Sequence, residues 1–169
     1  MHRISAAKFV ILQKPFLPGV DDFSTYYSKA AALCSRAEKC SSEIRDKLDD
    51  WGATGEMTEK VLKKLTEEKF VDDARYSVSF VKDKFRFNKW GRVKLSYMLR
   101  QKGISSENIA QALQEIDEND YMETLKKLLQ EKARKTAARN PYDKKAKLLR
   151  FAQSHGFEGN LTYQVLASI

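Results

Sequence analysis

Gly91-Arg92-Val93-Lys94-Leu95-Ser96-Tyr97-Met98-Leu99-Arg100-Gln101-Lys102-Gly103 reads as an amphipathic helix that stops on a glycine, and the pattern occurs twice more. Its counterparts are Ser41-Ser42-Glu43-Ile44-Arg45-Asp46-Lys47-Leu48-Asp49-Asp50-Trp51-Gly52 and Lys144-Lys145-Ala146-Lys147-Leu148-Leu149-Arg150-Phe151-Ala152-Gln153-Ser154-His155-Gly156. Each carries an apolar residue four and eight positions before the glycine: Leu48 and Ile44, Leu99 and Leu95, Ala152 and Leu148. An i, i+4 stripe ending at glycine is a helix closed by a left-handed residue, where the missing Cβ removes a steric penalty. The glycines lie 51 and 53 residues apart, so three tandem copies of one small helical unit are predicted.

A unit of that size buries little core alone, so neighbouring units must share apolar faces. Hydrophobic content of 42%, with 7 Gly and 3 Pro in 169 residues, argues for a folded chain. The apolar run Phe9-Val10-Ile11-Leu12, between Lys8 and Gln13-Lys14-Pro15, is too short for a signal peptide or a membrane span. Cys34 and Cys40 are six apart; on one helix that separation is about 9 Å, beyond disulfide reach. With His2 and His155 distant in sequence, no metal-ligand spacing forms. Two reduced thiols in a cytoplasmic protein, with no metal and no cofactor, are expected.

Residues 1–24 lack sustained periodicity, and Pro15 and Pro18-Gly19 break any helix there, so an N-terminal arm is expected. Helical repeats are predicted over 25–70, 71–118 and 119–169. In the first, a helix from Tyr26 to Lys39 turns Ala30, Leu33 and Ala37 inward. A second, capped by Ser41, ends at Gly52, and a third near Gly55 uses Met57, Val61, Leu62 and Leu65. The middle repeat opens at Asp72, a good N-cap, with Asp73 favourable near the positive end of the helix dipole. Its helices bury Val78, Val81 and Phe85, then Trp90, Val93, Leu95 and Leu99, then Ile109, Ala112 and Ile116, the last starting at Ser105 or Ser106. The last repeat begins at Asn119 or Asp120, takes Asn140-Pro141 as N-cap and N1 proline, and ends in a helix capped by Asn160. No run alternates with period two long enough for a strand. The prediction is all-α, three units of three helices.

The charge is uneven. The chain nets +8, yet residues 82–102 alone net +7 and residues 126–150 net +8, leaving the other 123 residues at −7. An acidic body with two basic runs at equivalent places in adjacent repeats points to a positive face aimed at nucleic acid or an anionic partner.

Catalytic signatures are missing. There is no Gly-x-x-x-x-Gly-Lys or Gly-x-Gly-x-x-Gly loop for nucleotides. His155, beside a helix-ending glycine, reads as a partner of the helix dipole, and Asp72 with Asp73 as caps rather than acid/base carboxylates. A non-enzyme is expected.

The stretch Asp72-Asp73-Ala74-Arg75-Tyr76, followed by Phe80-Val81, the basic Lys82–Arg92 run and Lys102-Gly103-Ile104, resembles the RecX family, regulators of the RecA recombinase. The first unit fits through Leu33, Arg36, Ser41, Ile44, Leu48 and Gly52, the third in pattern more than in letters, and the resemblance covers about residues 28–166. Two linkers depart from the family pattern: Phe87-Asn88-Lys89-Trp90-Gly91 stands where members often carry a glycine-rich stretch, and Asn140-Pro141-Tyr142-Asp143 stands in the third unit. The resemblance implies an elongated, curved array that binds the RecA–single-stranded-DNA filament along its helical groove. There it would suppress ATPase, strand exchange and filament growth, in recombination, DNA repair and the SOS response. It implies no membrane partner and no cofactor, and a monomer is expected.

Expected electrostatic contacts are Lys82, Lys84, Arg86, Lys89, Arg92 and Lys94, joined by Arg100 and Lys102, with Lys144, Lys145, Lys147 and Arg150 as a second patch. Trp90 and Tyr97 either stack on a base or pack in the core beside Val93. Arg75 either contacts the partner or pairs with Asp72 or a neighbouring helix. A second reading makes the chain a stand-alone, helix-turn-helix-like nucleic-acid binder. That reading requires a recognition helix poised for base edges, and Gly91–Lys102 offers Arg92, Lys94 and Arg100 but few amide side chains.

Overall fold

The computed structural model describes residues 22–168. Among them are nine helices and no strand: α1 Asp22–Arg36, α2 Ser41–Asp50, α3 Gly55–Glu67, α4 Asp73–Asn88, α5 Arg92–Gln101, α6 Ser106–Gln114, α7 Glu118–Lys135, α8 Pro141–His155 and α9 Gly159–Ala167. None is long and apolar enough to cross a membrane. Packing follows the triplets: α1 to α3 pack on one another, as do α4 to α6 and α7 to α9.

The three glycine stops share one geometry. Gly52, Gly103 and Gly156 sit at φ 83°, 71° and 86°. The amide after each glycine donates to the stripe residue four before it: Ala53 to Leu48 at 3.0 Å, Ile104 to Leu99 at 3.1 Å, Phe157 to Ala152 at 3.0 Å. This is the Schellman closure, and the apolar residue after the glycine folds back towards the helix it ends. Lys69 at φ 60° and Lys89 at φ 54° end α3 and α4 in the same left-handed region without a glycine.

Several expected helix ends move. Helix α1 starts at Asp22, so residues 22–24 are helical, because Phe23 stacks on Tyr27 one turn on at 6.0 Å. The rest of the expected arm, with His2, Pro15 and Pro18, lies outside the described residues. The same helix ends at Arg36, not Lys39: Glu38 is drawn to Arg75 of α4, and Cys40 turns inward to complete burial. Cys40, not Ser41, is the N-cap of α2, and Asp73 caps that helix from the next unit by accepting from Ser41 N at 2.8 Å. Asp72 caps α4 itself through Arg75 N at 3.0 Å. The paired aspartates therefore serve two helix N-termini. Asp117 caps α7 ahead of the expected Asn119 or Asp120, and Glu158 rather than Asn160 precedes α9. Asn140 caps α8, and Pro141 is its first residue.

Two apolar cores form. Tyr26, Ala30, Ile44, Leu48, Val61, Leu65 and Val71 belong to the first unit's. The second and third units share one, running from Val81 and Leu95 through Tyr121 to Leu129, Leu148 and Phe157. Cys40 is the first unit's one buried contribution to that second core. Val93 and Tyr97, expected inward, are 56% and 57% exposed, because the α5 stripe that packs is Leu95 and Leu99.

Candidate nucleic-acid interface

The basic residues of the middle unit divide into those that hold the array together and those that face outward. Arg92, at the start of α5, has its guanidinium 2.5 Å from Glu118 and 4.1 Å from the ring centre of Tyr121. Tyr121 is fully buried, lies between Phe85 and Phe157 at 5.8 and 5.0 Å, accepts from Arg92 N and donates to Glu158 at 2.6 Å. Burial and the bond to Glu158 hold its hydroxyl well above the usual tyrosine range.

Lys102 is likewise a tie. Its ammonium is 2.6 Å from Glu43, which also accepts from Tyr76 at 3.3 Å. Burial opposes the charge on both partners, but the Lys102 contact outweighs it and holds the Glu43 carboxyl below its ordinary range. Burial pushes Tyr76 up to about 12. Lys39 approaches the other Glu43 oxygen at 3.6 Å, near enough for charge attraction without a hydrogen bond. Arg75 donates to Glu38 at 2.7 Å and to the carbonyl of Lys69 at 3.1 Å, so its guanidinium pairs with the α1–α2 linker and the exit of α3, and neither with Asp72 nor with a neighbouring helix.

Trp90 packs against the shared core. Phe80 lies against it at 6.3 Å, with Lys84 and Lys94 ammonium groups 5.5 and 4.7 Å from its ring centre. The indole is partly buried among these groups. Lys94 also donates to the Ser154 carbonyl at 3.3 Å.

Lys82, Arg86 and Lys89 line one wall of a cleft between α4 and α7. The facing wall carries Glu115, Asp117, Asp120 and Glu123, and Lys82 pairs with Glu115 at 2.7 Å. The cleft is therefore largely self-compensated. Arg86 extends over the exposed Phe87 ring at 5.3 Å, and Arg100 stands exposed on the outer side of α5.

The third unit differs. Around α8, Lys132, Lys135, Lys147 and Arg150 line a groove over Phe151. A second groove has Arg134, Lys144 and Lys145 above an apolar floor of Ala133, Leu148 and Leu166. Among the described residues, no carboxylate lines either one. Within the set, Lys147 pairs with Asp143 at 2.9 Å, one turn back on α8. The structure thus joins Lys144, Lys145, Lys147 and Arg150 to Lys132, Arg134 and Lys135 of α7, which the charge of run 126–150 signalled but no single motif marked. Two exposed rings of this unit, Tyr142 and Tyr163, carried no sequence signal, since nothing in a helical pattern separates an outward tyrosine from a packed one.

An array of three-helix units with cationic grooves on its last unit defines the class as a helical-repeat binding scaffold. Comparison with known proteins makes the class specific. Family models described as RecX first, second and third three-helix domains match residues 27–65, 72–113 and 118–166. The chain belongs to the RecX family, whose curated members are named regulatory proteins. A Clostridium acetobutylicum regulatory protein RecX is 30% identical over 177 residues, covering 100% of this chain and 80% of the relative. One from Clostridium perfringens is 29% identical over 140 residues, covering 82% of this chain and 65% of the relative. The chain spans 63–65% of the length of several such relatives. A crystal structure of regulatory protein RecX superposes with a TM-score of 0.81 at 26% identity, over 88% of this chain and 73% of that one. RecX from Lactobacillus salivarius, 20% identical, shares the fold with the same TM-score, over 88% of this chain and 96% of that one.

Proposed function

We propose that this chain binds the RecA–single-stranded-DNA filament along its helical groove and restrains the recombinase's ATP turnover, strand exchange and filament growth. The observation that carries the reading is the pair of cationic grooves beside α8, with no carboxylate among their described lining residues, set on a chain that is acidic outside its two basic runs. Such a face suits a groove where DNA phosphates and acidic protein lie close together. Arg86, Lys89 and Arg100 add outward charge on the middle unit. Arg75, Arg92, Lys94 and Lys102 act indirectly, by holding the units in register.

The stand-alone helix-turn-helix reading is less well supported. A recognition helix reads base edges from its N-terminal residues. In α5 those residues are taken: Gly91 and Val93 amides donate to the His155 and Gly156 carbonyls, Arg92 to Glu118, and Lys94 to Ser154.

The test is RecA's ATP turnover on single-stranded DNA, titrated with the wild-type chain and two charge-removed variants. One is Lys132→Gln/Lys135→Gln/Arg150→Gln, the other Arg86→Gln/Lys89→Gln/Arg100→Gln. Substoichiometric inhibition that the first variant loses more fully than the second is expected. Unchanged turnover with tight binding to bare DNA would move the assignment to a stand-alone binder.

A further inference from the structure

Tyr142 is 84% exposed and Tyr163 is 50% exposed, and the two rings lie in one patch rather than scattered over the surface. Both line one groove of about 370 Å³, together with Ala146, Leu149, Lys145 and Arg150. On α8 these positions form a face of their own at i, i+3, i+4, i+7 and i+8, separate from the buried Leu148/Ala152 stripe. Among the described residues, no carboxylate lines the groove. Its cations also belong to two neighbouring grooves: Lys145 borders the one with Arg134 and Lys144, and Arg150 the one with Lys132 and Lys135. A polyanion crossing α8 would therefore meet cations before, at and after the tyrosines.

We infer that the third unit carries a base-stacking site for single-stranded nucleic acid, in which Tyr142 and Tyr163 hold an unpaired base and Lys145 and Arg150 grip the flanking phosphates. Two rings set between cations match the two parts of a nucleotide, an aromatic face and a phosphate. A duplex hides its base faces, so the rings select single strands. An acidic protein surface would use the cations but leave the rings without matching faces. Lys145 already lies over Tyr163 at 5.4 Å, which keeps that ring oriented and leaves Tyr142 the more open platform. The inference deepens the proposed function, resting on its choice of single-stranded DNA as the polyanion, but its test contains no recombinase.

The experiment titrates a labelled oligothymidylate, and the same backbone with abasic sites, into the full chain and its Tyr142→Leu, Tyr163→Leu and Tyr142→Phe variants. Both rings are exposed, so the folded state is not at stake, and circular dichroism checks it. Each leucine variant should bind oligothymidylate about tenfold more weakly, with the phenylalanine variant close to wild type. On the abasic strand, wild type and leucine variants should bind alike. The salt dependence should stay the same in the leucine variants and flatten in Lys145→Gln and Arg150→Gln. The inference is overturned if the wild type ignores the oligonucleotide, if the leucine variants match wild type, or if their loss persists on the abasic strand. Failure here leaves the ATPase result standing, and failure of the ATPase test leaves this binding result standing.

Discussion

Where the first unit meets the second, the contacts are mostly polar side chains: Ser41 N to Asp73, Ser42 Oγ to the Lys102 carbonyl, Lys102 to Glu43 and Arg75 to Glu38. Where the second meets the third, backbone touches backbone and the core runs through. Gly91 N donates to His155 O at 2.8 Å and Val93 N to Gly156 O at 3.0 Å, so the head of α5 satisfies the tail of α8. Tyr121, fully buried, fills the space beside that contact. The same repeat is thus joined once by charge and once by close packing. The second and third units should behave as one cooperative body, with the first as a separable neighbour. The two basic runs belong to the fused pair, so the fused junction fixes their spacing while the ionic one leaves the first unit's angle adjustable.

The largest expected effect lies at the glycine contact. A Cβ on Gly91 would stand 2.3 Å from the Gly156 carbonyl oxygen, and one on Gly156 would stand 2.2 Å from Lys94 Cβ. Either position has backbone or a helix-borne Cβ in the way, so neither can yield by side-chain rotation. Gly91→Ala should cost about 3 kcal/mol or more and split the shared transition in a urea melt. Gly52 is the control. Its left-handed backbone at φ 83° matches that of Gly156 at φ 86°, unlike the extended Gly91, but there is open space around its missing Cβ, so Gly52→Ala should cost about 1 kcal/mol and leave the transition single. Equal costs would mean that the second junction is no tighter than a free helix end.

Next come two ties, the buried hydroxyl of Tyr121 and the half-buried carboxyl of Glu43. Tyr121→Phe removes the acceptor for Arg92 N and the donor to Glu158, at about 2 kcal/mol. Glu43→Gln leaves Lys102 half-buried without its counter-charge, at about 1–2 kcal/mol, and the loss should fall on the first junction alone. Trp51 reports the first unit and Trp90 the second, so single-tryptophan variants followed by fluorescence separate the two.

Acid sharpens the contrast. Glu43 has its folded-state pKa depressed, so its contribution is present above the unfolded carboxylate value of about 4.3 and disappears as pH falls through the lower folded one. Between neutrality and that range the Trp51 and Trp90 melts should keep a constant offset. Below it the Trp51 melt should move to lower urea first. Coincident shifts of both reporters would place the acid-sensitive group elsewhere.

Much of the helical order was legible because it rests on local rules. The three glycine stops, the Asn140-Pro141 start and the Leu48, Leu99 and Ala152 stripe each follow from backbone sterics within one turn. What failed to show was everything carried across units. Asp73 caps a helix that starts 32 positions earlier, and only the folded chain brings it to Ser41. Lys69 and Lys89 take left-handed conformations that sequence reserves for glycine, since packing beyond them overrides the local penalty. Charge counting found both basic runs but not their surroundings. In the middle unit the facing acids come from the α6–α7 turn and from α7, so Lys82 is neutralised by a residue 33 positions on. Sequence ranked that patch first; the structure gives the cleaner positive surface to the third unit.

Arg75 offers the smallest effect and the finest test of the ionic junction. Its guanidinium meets Glu38 at 2.7 Å, and the side chains are 41% and 38% exposed. The Glu38 hydrogen bond raises the arginine's pKa, but water and salt screen a pair this open. Arg75→Ala should therefore cost less than about 1 kcal/mol, with the difference fading at high salt. A larger loss would point to the other contact, Nη2 on the carbonyl of Lys69, where the chain turns left-handed out of α3. Arg75→Lys separates the two, because a lysine keeps the charge near Glu38 but cannot hold both partners in one planar fork. If Lys restores stability, the junction needs only the charge. If it does not, the arginine is fixing the exit of α3, and the first unit's orientation depends on that carbonyl rather than on the ion pair.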